Sequence, residues 1–112
     1  MTLLEQYFDC MRAGDCVALA DLFHPEGILH DSSWTRVGED TLHLSGKMAI
    51  EMMFHHKFGI NGGSYPISGV KFMEENVAWY FIIYKGQVVP AVAYLSSVDE
   101  NGKIDRLNIF PM

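Results

Sequence analysis

Up to Phe58 apolar positions recur mainly every three to four residues, around an early strand-like run, and from Tyr65 onward they keep the rhythm of strands. Thr2 and Glu5 form a T-x-x-E capping box. Leu4, Tyr7, Phe8 and Met11 then line one face of a first helix that Gly14 ends. Asp15 caps a second short helix, with Val17, Ala20 and Phe23 on one side and Pro25 as its stop. Gly27 to Ser32 reads as a strand, followed by an irregular polar stretch through Asp40 and a short strand from Thr41 to Leu44. Ser45 is placed to cap a third helix from Lys47 to Phe58, which Gly59 stops before the Asn61-Gly62-Gly63 loop.

The later runs, Ile67 to Met73, Val77 to Tyr84, Val88 to Ser97 and Lys103 to Phe110, are rich in Val, Ile, Tyr and Phe. They are separated by Glu74-Glu75-Asn76, Lys85-Gly86 and Asp99-Glu100-Asn101-Gly102, each short enough for a hairpin. Three helices around an early strand, then an antiparallel meander, define an α+β domain. The strands from Val77 to Tyr84 and from Val88 to Leu95 are apolar on both faces. Their second face is therefore expected to pack as well, either on a helix or on another subunit.

A length of 112 residues sets the expectation of one domain over residues 1–112, with room for a single core and one small cavity. With 49% hydrophobic and 20% charged residues, some apolar surface needs cover, and a homodimer through the sheet supplies it. The net charge of −6, with Lys and Arg scattered, argues against nucleic acid as a partner. No apolar run reaches the roughly 18 to 20 residues of a spanning helix, so no membrane is expected. Cys10 and Cys16 are the only cysteines, and no export signal is visible, so a reduced cytoplasmic protein is the expectation.

The candidate chemistry is the pairing of Tyr7 on the first helix with Asp31 at the end of the Ile28-Leu29-His30 strand. A phenol donates a hydrogen bond to a developing oxyanion, and a carboxylate kept from water becomes a proton acceptor near neutral pH. Each residue also has a plainer reading. Tyr7 suits a core position on an apolar helix face. Asp31 before Ser32-Ser33 suits a turn at a strand end.

The order helix, Gly14-Asp15, helix, Gly27-Ile28-Leu29-His30-Asp31, Leu44-Ser45-Gly46-Lys47 before Ile50 and Phe54, then a meander closed by Asp99-Glu100-Asn101-Gly102-Lys103-Ile104, covers nearly the whole chain. It resembles the nuclear-transport-factor-2-like superfamily, which includes SnoaL-like proteins and ketosteroid isomerases. The resemblance implies a cone-shaped, curved antiparallel sheet packed on three helices, with an internal pocket. Isomerases, hydrolases, cyclases and non-catalytic binders share that scaffold, so function must be argued from the site.

Ketosteroid isomerases carry a Tyr on the first helix and an Asp general base on the first strand. Tyr7 and Asp31 match them in type and separation. Those enzymes also use a protonated Asp on a later strand. Counting back from the Asp99 turn puts Tyr94 there, and counting forward from Lys85-Gly86 puts Leu95 there; neither is an acid. Phe54 stands where some of these enzymes have a supporting tyrosine. The longer stretch between Asp31 and Gly46 adds Trp34 and Arg36 near the expected pocket mouth.

The histidines give no sequence-level metal motif. His55 and His56 diverge by about 100 degrees on a helix, and His24, His30 and His43 lack helical ligand spacing. Met48, Met52 and Met53 read as adaptable core filler. The expectation is a pocket for a small apolar or carbonyl-containing molecule, with no metal or cofactor. Tyr7 and Asp31 are its candidate catalytic residues, and Trp34, Phe54, Tyr80 and Tyr94 are its ligand-binding residues. If the protein is an enzyme, it is isomerase-like or hydrolase-like. The alternative is a non-catalytic ligand-binding or dimerisation module.

Overall fold

The computed structural model describes all residues from 1 to 112. The chain runs α1 (Leu3–Ala13), α2 (Cys16–Asp21), β1 (Phe23–Asp31), a 3-10 turn (Ser33–Val37), β2 (Leu42–Ser45) and α3 (Lys47–Ile60). It continues through β3 (Ile67–Glu74), β4 (Val77–Tyr84), β5 (Gln87–Val98) and β6 (Ile104–Pro111). The six strands form one sheet in the order β2-β1-β6-β5-β4-β3. Every pairing is antiparallel except β1 with β6, so the sheet is mixed.

The capping box at Thr2 and Glu5 forms in both directions, and α1 ends at Gly14 in the left-handed conformation. A side chain at Gly14 would meet the Gly63 carbonyl oxygen at 1.8 Å, so the position demands glycine for space as well as for its φ of 68°. That close approach, with the Tyr65 amide donating to the Met11 carbonyl at 3.0 Å, ties α1 to the loop after α3. The C-terminal end of the helix that carries Tyr7 is thereby held in place.

Three boundaries differ from the sequence reading, each for a tertiary reason. The second helix stops at Asp21, well before Pro25, because Phe23 pairs with Ile104 and draws the chain into β1. Pro25 lies between Phe23 and Ile28, where the register with β6 shifts and no ladder bond is asked of it. Ser45 pairs with Ile28 in β2, which leaves Gly46, at φ 100°, as the residue entering α3. Gly59 is accommodated inside α3, which continues to Ile60.

One core lies between the helices and the inner face of the sheet. Inner positions alternate as the pleat requires: Ala78, Tyr80, Ile82 and Tyr84 on β4; Val89, Ala91, Ala93 and Leu95 on β5; Leu107 and Ile109 on β6. Small residues are grouped, with Ala78 paired to Ala93 and Tyr80 to Ala91. Rings fill the space above them, the Phe8 and Tyr80 centroids lying 4.8 Å apart.

Candidate active site

Asp31 ends β1 with its side chain on the inner face, where only 3% of the residue remains exposed. The Ser33 amide donates to its Oδ1 at 2.9 Å, and the Ser33 hydroxyl donates to the same oxygen. Asp31 is therefore the turn residue its neighbours imply and a buried carboxylate at once. Burial pushes its pKa up to about 6, against the opposing pull of the Ser33 bonds, the Lys57 charge and the Trp34 indole. A carboxylate so placed is poised to take a proton near neutral pH.

Tyr7 is fully buried on α1, and its hydroxyl has no hydrogen-bond partner. Its pKa lies well above the ordinary value, first because of burial and next because of the Asp31 charge. The group is thus a permanent donor within electrostatic reach of the carboxylate. Tyr80, on β4, is buried in the same interior and shifted upward by burial and then by Asp31 and Tyr7. Phe54 is fully buried on α3, against Phe58 at 5.6 Å.

Trp34 comes from the 3-10 turn that follows Asp31 and is 2% exposed. Its ring meets Tyr84 edge-on at 4.8 Å and Tyr65 at 5.5 Å. Its indole N–H lies near enough to favour the charged form of Asp31 but closes no hydrogen bond. Tyr7 and Trp34 are the two buried side-chain donors in the molecule left without a partner. Such groups carry an energetic cost and are rare in folded proteins.

Tyr94 does not join this group. It is 45% exposed, on the outer face of the sheet, because the β4–β5 register pairs it with Val77 and turns its neighbours Ala93 and Leu95 inward. The ambiguity between Tyr94 and Leu95 thus resolves to Leu95 as the inward residue, which donates nothing. The inner-face residues in line with Asp31 across the sheet are Ile109 and Ala93.

A polar cluster that the sequence reading did not single out covers Trp34. Lys57, 5% exposed, holds its ammonium 4.4 Å from the Trp34 ring centroid and 2.8 Å from Glu39 Oε1. The Tyr84 hydroxyl donates to the other Glu39 oxygen. Glu39 is held below the usual carboxylate range by its bonds to Lys57 and Tyr84, while burial raises Tyr84 to about 12. The signal was present in α3, where Ile50, Phe54, Lys57 and Phe58 share the spacing of one buried face.

Four concavities mark the surface, and none is lined by Tyr7, Asp31, Trp34, Phe54 or Tyr80. One, of about 390 Å³, runs beside the cluster and is lined by residues including Glu39, Leu42, Met53 and Lys57.

No protein-family model and no curated protein matches the chain by sequence. Solved structures do. A nuclear-transport-factor-2-like protein of unknown function from Burkholderia xenovorans is 21% identical with a TM-score of 0.67, over 97% of this chain and 79% of that one. A hypothetical protein of ketosteroid isomerase-like fold from Catenulispora acidiphila, in complex with trimethylamine, is 15% identical with a TM-score of 0.68, over 97% and 85%. The chain has the nuclear-transport-factor-2-like fold. A polyketide cyclase candidate from Sinorhizobium meliloti shares this fold at 20% identity and a TM-score of 0.66, over 96% and 92%. A nuclear-transport-factor-2-like scaffold at these identities speaks for architecture, and the activity has to be read from Tyr7, Asp31 and their surroundings.

Proposed function

We propose that the protein binds a small apolar, carbonyl-containing molecule among Tyr7, Asp31, Trp34, Phe54 and Tyr80, and moves a proton on the carbon next to the carbonyl. Asp31 takes the proton, the C–H electrons shift to give an enolate, and the Tyr7 hydroxyl donates to the developing oxyanion. The protonated Asp31 then returns the proton to the same or a conjugated carbon, so no cofactor or metal is required. The observation that carries this reading is a buried carboxylate in one interior with two donors that have no protein partner. The Trp34 N–H is available as the second oxyanion donor that Leu95 cannot be.

Entry is assigned to the groove beside Glu39 and Lys57, the one surface concavity that adjoins the side chains covering Trp34. The test is deuterium exchange into a small β,γ-unsaturated cyclic ketone in D2O, followed by NMR. Wild-type protein should accelerate exchange, Asp31→Asn should abolish the acceleration, and Tyr7→Phe should reduce it about 10²- to 10³-fold. If the ketone binds but exchange equals that of Asp31→Asn, the pocket binds without catalysing.

A second reading, a dimerisation module, has its own observation. Trp79, Phe81, Tyr94 and Phe110 stand exposed on the outer face, with Val92 paired to both Trp79 and Phe110. We propose that a second copy of the chain covers this face, which is compatible with the site on the inner face. The net charge of −6 disfavours nucleic acid and anionic membranes as partners. No helix is long and apolar enough to cross a membrane. The proposed setting is the cytoplasm, where Cys10 and Cys16 stay reduced.

A further inference from the structure

His30 and His43 are direct cross-strand partners in the β1–β2 register, and their Nδ1 atoms lie 3.0 Å apart. The pair is on the outer side of β1, opposite Asp31, with His43 exposed to solvent. At this separation one ring donates its Nδ1–H to the bare Nδ1 of the other, so the two nitrogens share one proton. Neither ring has another hydrogen-bond partner in the protein. The β1 backbone is paired on both sides, to β2 and to β6, so the two imidazoles project from a held frame.

We propose that His30 and His43 form a chelating site for a divalent transition-metal ion, with Cu2+ the best fit. Metal–imidazole bonds of about 2.0 to 2.1 Å put two nitrogens at right angles roughly 2.9 Å apart, close to the observed spacing. Imidazole pairs in adjacent positions suit the tetragonal geometry of Cu2+, which also stands highest in affinity among first-row divalent ions. The rings, now edge-on at 68°, need only a change in χ2, a broad torsion, to turn both lone pairs toward one ion. The ion takes both Nδ1 lone pairs; the ring that donated its Nδ1–H becomes the Nε2–H tautomer by exchange with solvent, so both Nε2 atoms carry a proton in the complex and two neutral rings release none. Water fills the remaining positions, because Asn108, next in the row, has its amide engaged by Ser96 and Arg106.

A different cluster, His24 with Asp99 and Asp105, brings ligand atoms within 4.8 Å of one another. There, His24 Nδ1 already accepts the Glu26 amide at 3.0 Å, which leaves its proton on Nε2 and no free lone pair for an ion. The His30–His43 pair has no such obstacle.

The test is calorimetric titration of untagged, full-length protein with Cu2+ in two buffers of different protonation enthalpy, on wild type, His30→Ala, His43→Ala, His43→Gln and a His55→Ala/His56→Ala control. The expected result is one ion per chain. Loss of either chelating ring should weaken binding by about ten-fold or more, because the second ligand acts at high effective concentration. The control should bind like wild type. Unchanged circular dichroism establishes that each variant is folded, and His43→Gln supplies an exposed, size-matched alternative to His43→Ala. The proposal is overturned if wild type shows no saturable binding, if the His30 and His43 variants bind as well as wild type, or if the control loses the site.

Discussion

The hydroxyl of Tyr7 lies buried without a hydrogen-bond partner, in the same interior as the Asp31 carboxylate whose charge helps to keep it protonated. A fold selected for stability alone would pair that hydroxyl or replace it with a phenylalanine. Under the proposed function it is the donor kept for the carbonyl oxygen of the bound molecule.

Tyr7→Phe separates the two roles a buried tyrosine can have. Removing an unsatisfied hydroxyl should leave stability unchanged or raise it by up to about 1 kcal/mol, while ketone exchange falls. Denaturant unfolding of the variant checks the first half. A loss of more than about 1 kcal/mol would show that the hydroxyl supports the core.

Asp31→Asn should stabilise the fold above neutral pH. The native state holds the Asp31 proton up to about pH 6, whereas the unfolded chain releases it near 3.8. The associated stability is therefore complete below about pH 4 and is lost as pH rises through 6. At pH 8 the charged wild type should be less stable than Asp31→Asn by as much as about 3 kcal/mol, and the gap should close toward pH 4. Ser33 can still donate to the amide oxygen, so the turn survives. Urea unfolding at pH 4, 6 and 8 measures the trend.

Phe8 and Phe23 anchor the core between the helices and the sheet, each about 1% exposed. Truncating either to Ala should cost roughly 3 to 5 kcal/mol, a large fraction of a small domain's stability. Thermal or denaturant unfolding reports it, and losses below about 1 kcal/mol at both sites would contradict the packing described.

Much of this was legible in the chain and some was not, for definable reasons. Periodicity located the helices and the meander because local patterns carry them: the Thr2–Glu5 box, Gly14 and the Asp99 turn form as their residue types require. Boundaries at Phe23 and Ser45 moved because strand pairing with Ile104 and Ile28 outweighed local helix signals. Tyr94 was misplaced by a register ambiguity of one residue, which in a strand exchanges the inner and outer faces. Lys57 was not singled out although its spacing marked it as buried, and the His30–His43 pair was invisible because cross-strand neighbours 13 residues apart leave no local trace.

The outer face makes an assembly prediction. Sedimentation at micromolar concentration should show a dimer, and Trp79→Lys, which puts a charge in the middle of the exposed aromatic face, should shift it to monomer with little loss of fold. A compact wild-type monomer at that concentration would remove the second-copy assignment.

Whether burial has made Asp31 a base suited to neutral pH can be read from its side-chain carboxyl resonance in a 13C NMR titration. Asp31→Asn assigns the signal. The midpoint should fall near pH 6, well separated from the exposed carboxylates. A midpoint near 4, in the ordinary carboxylate range, would contradict it.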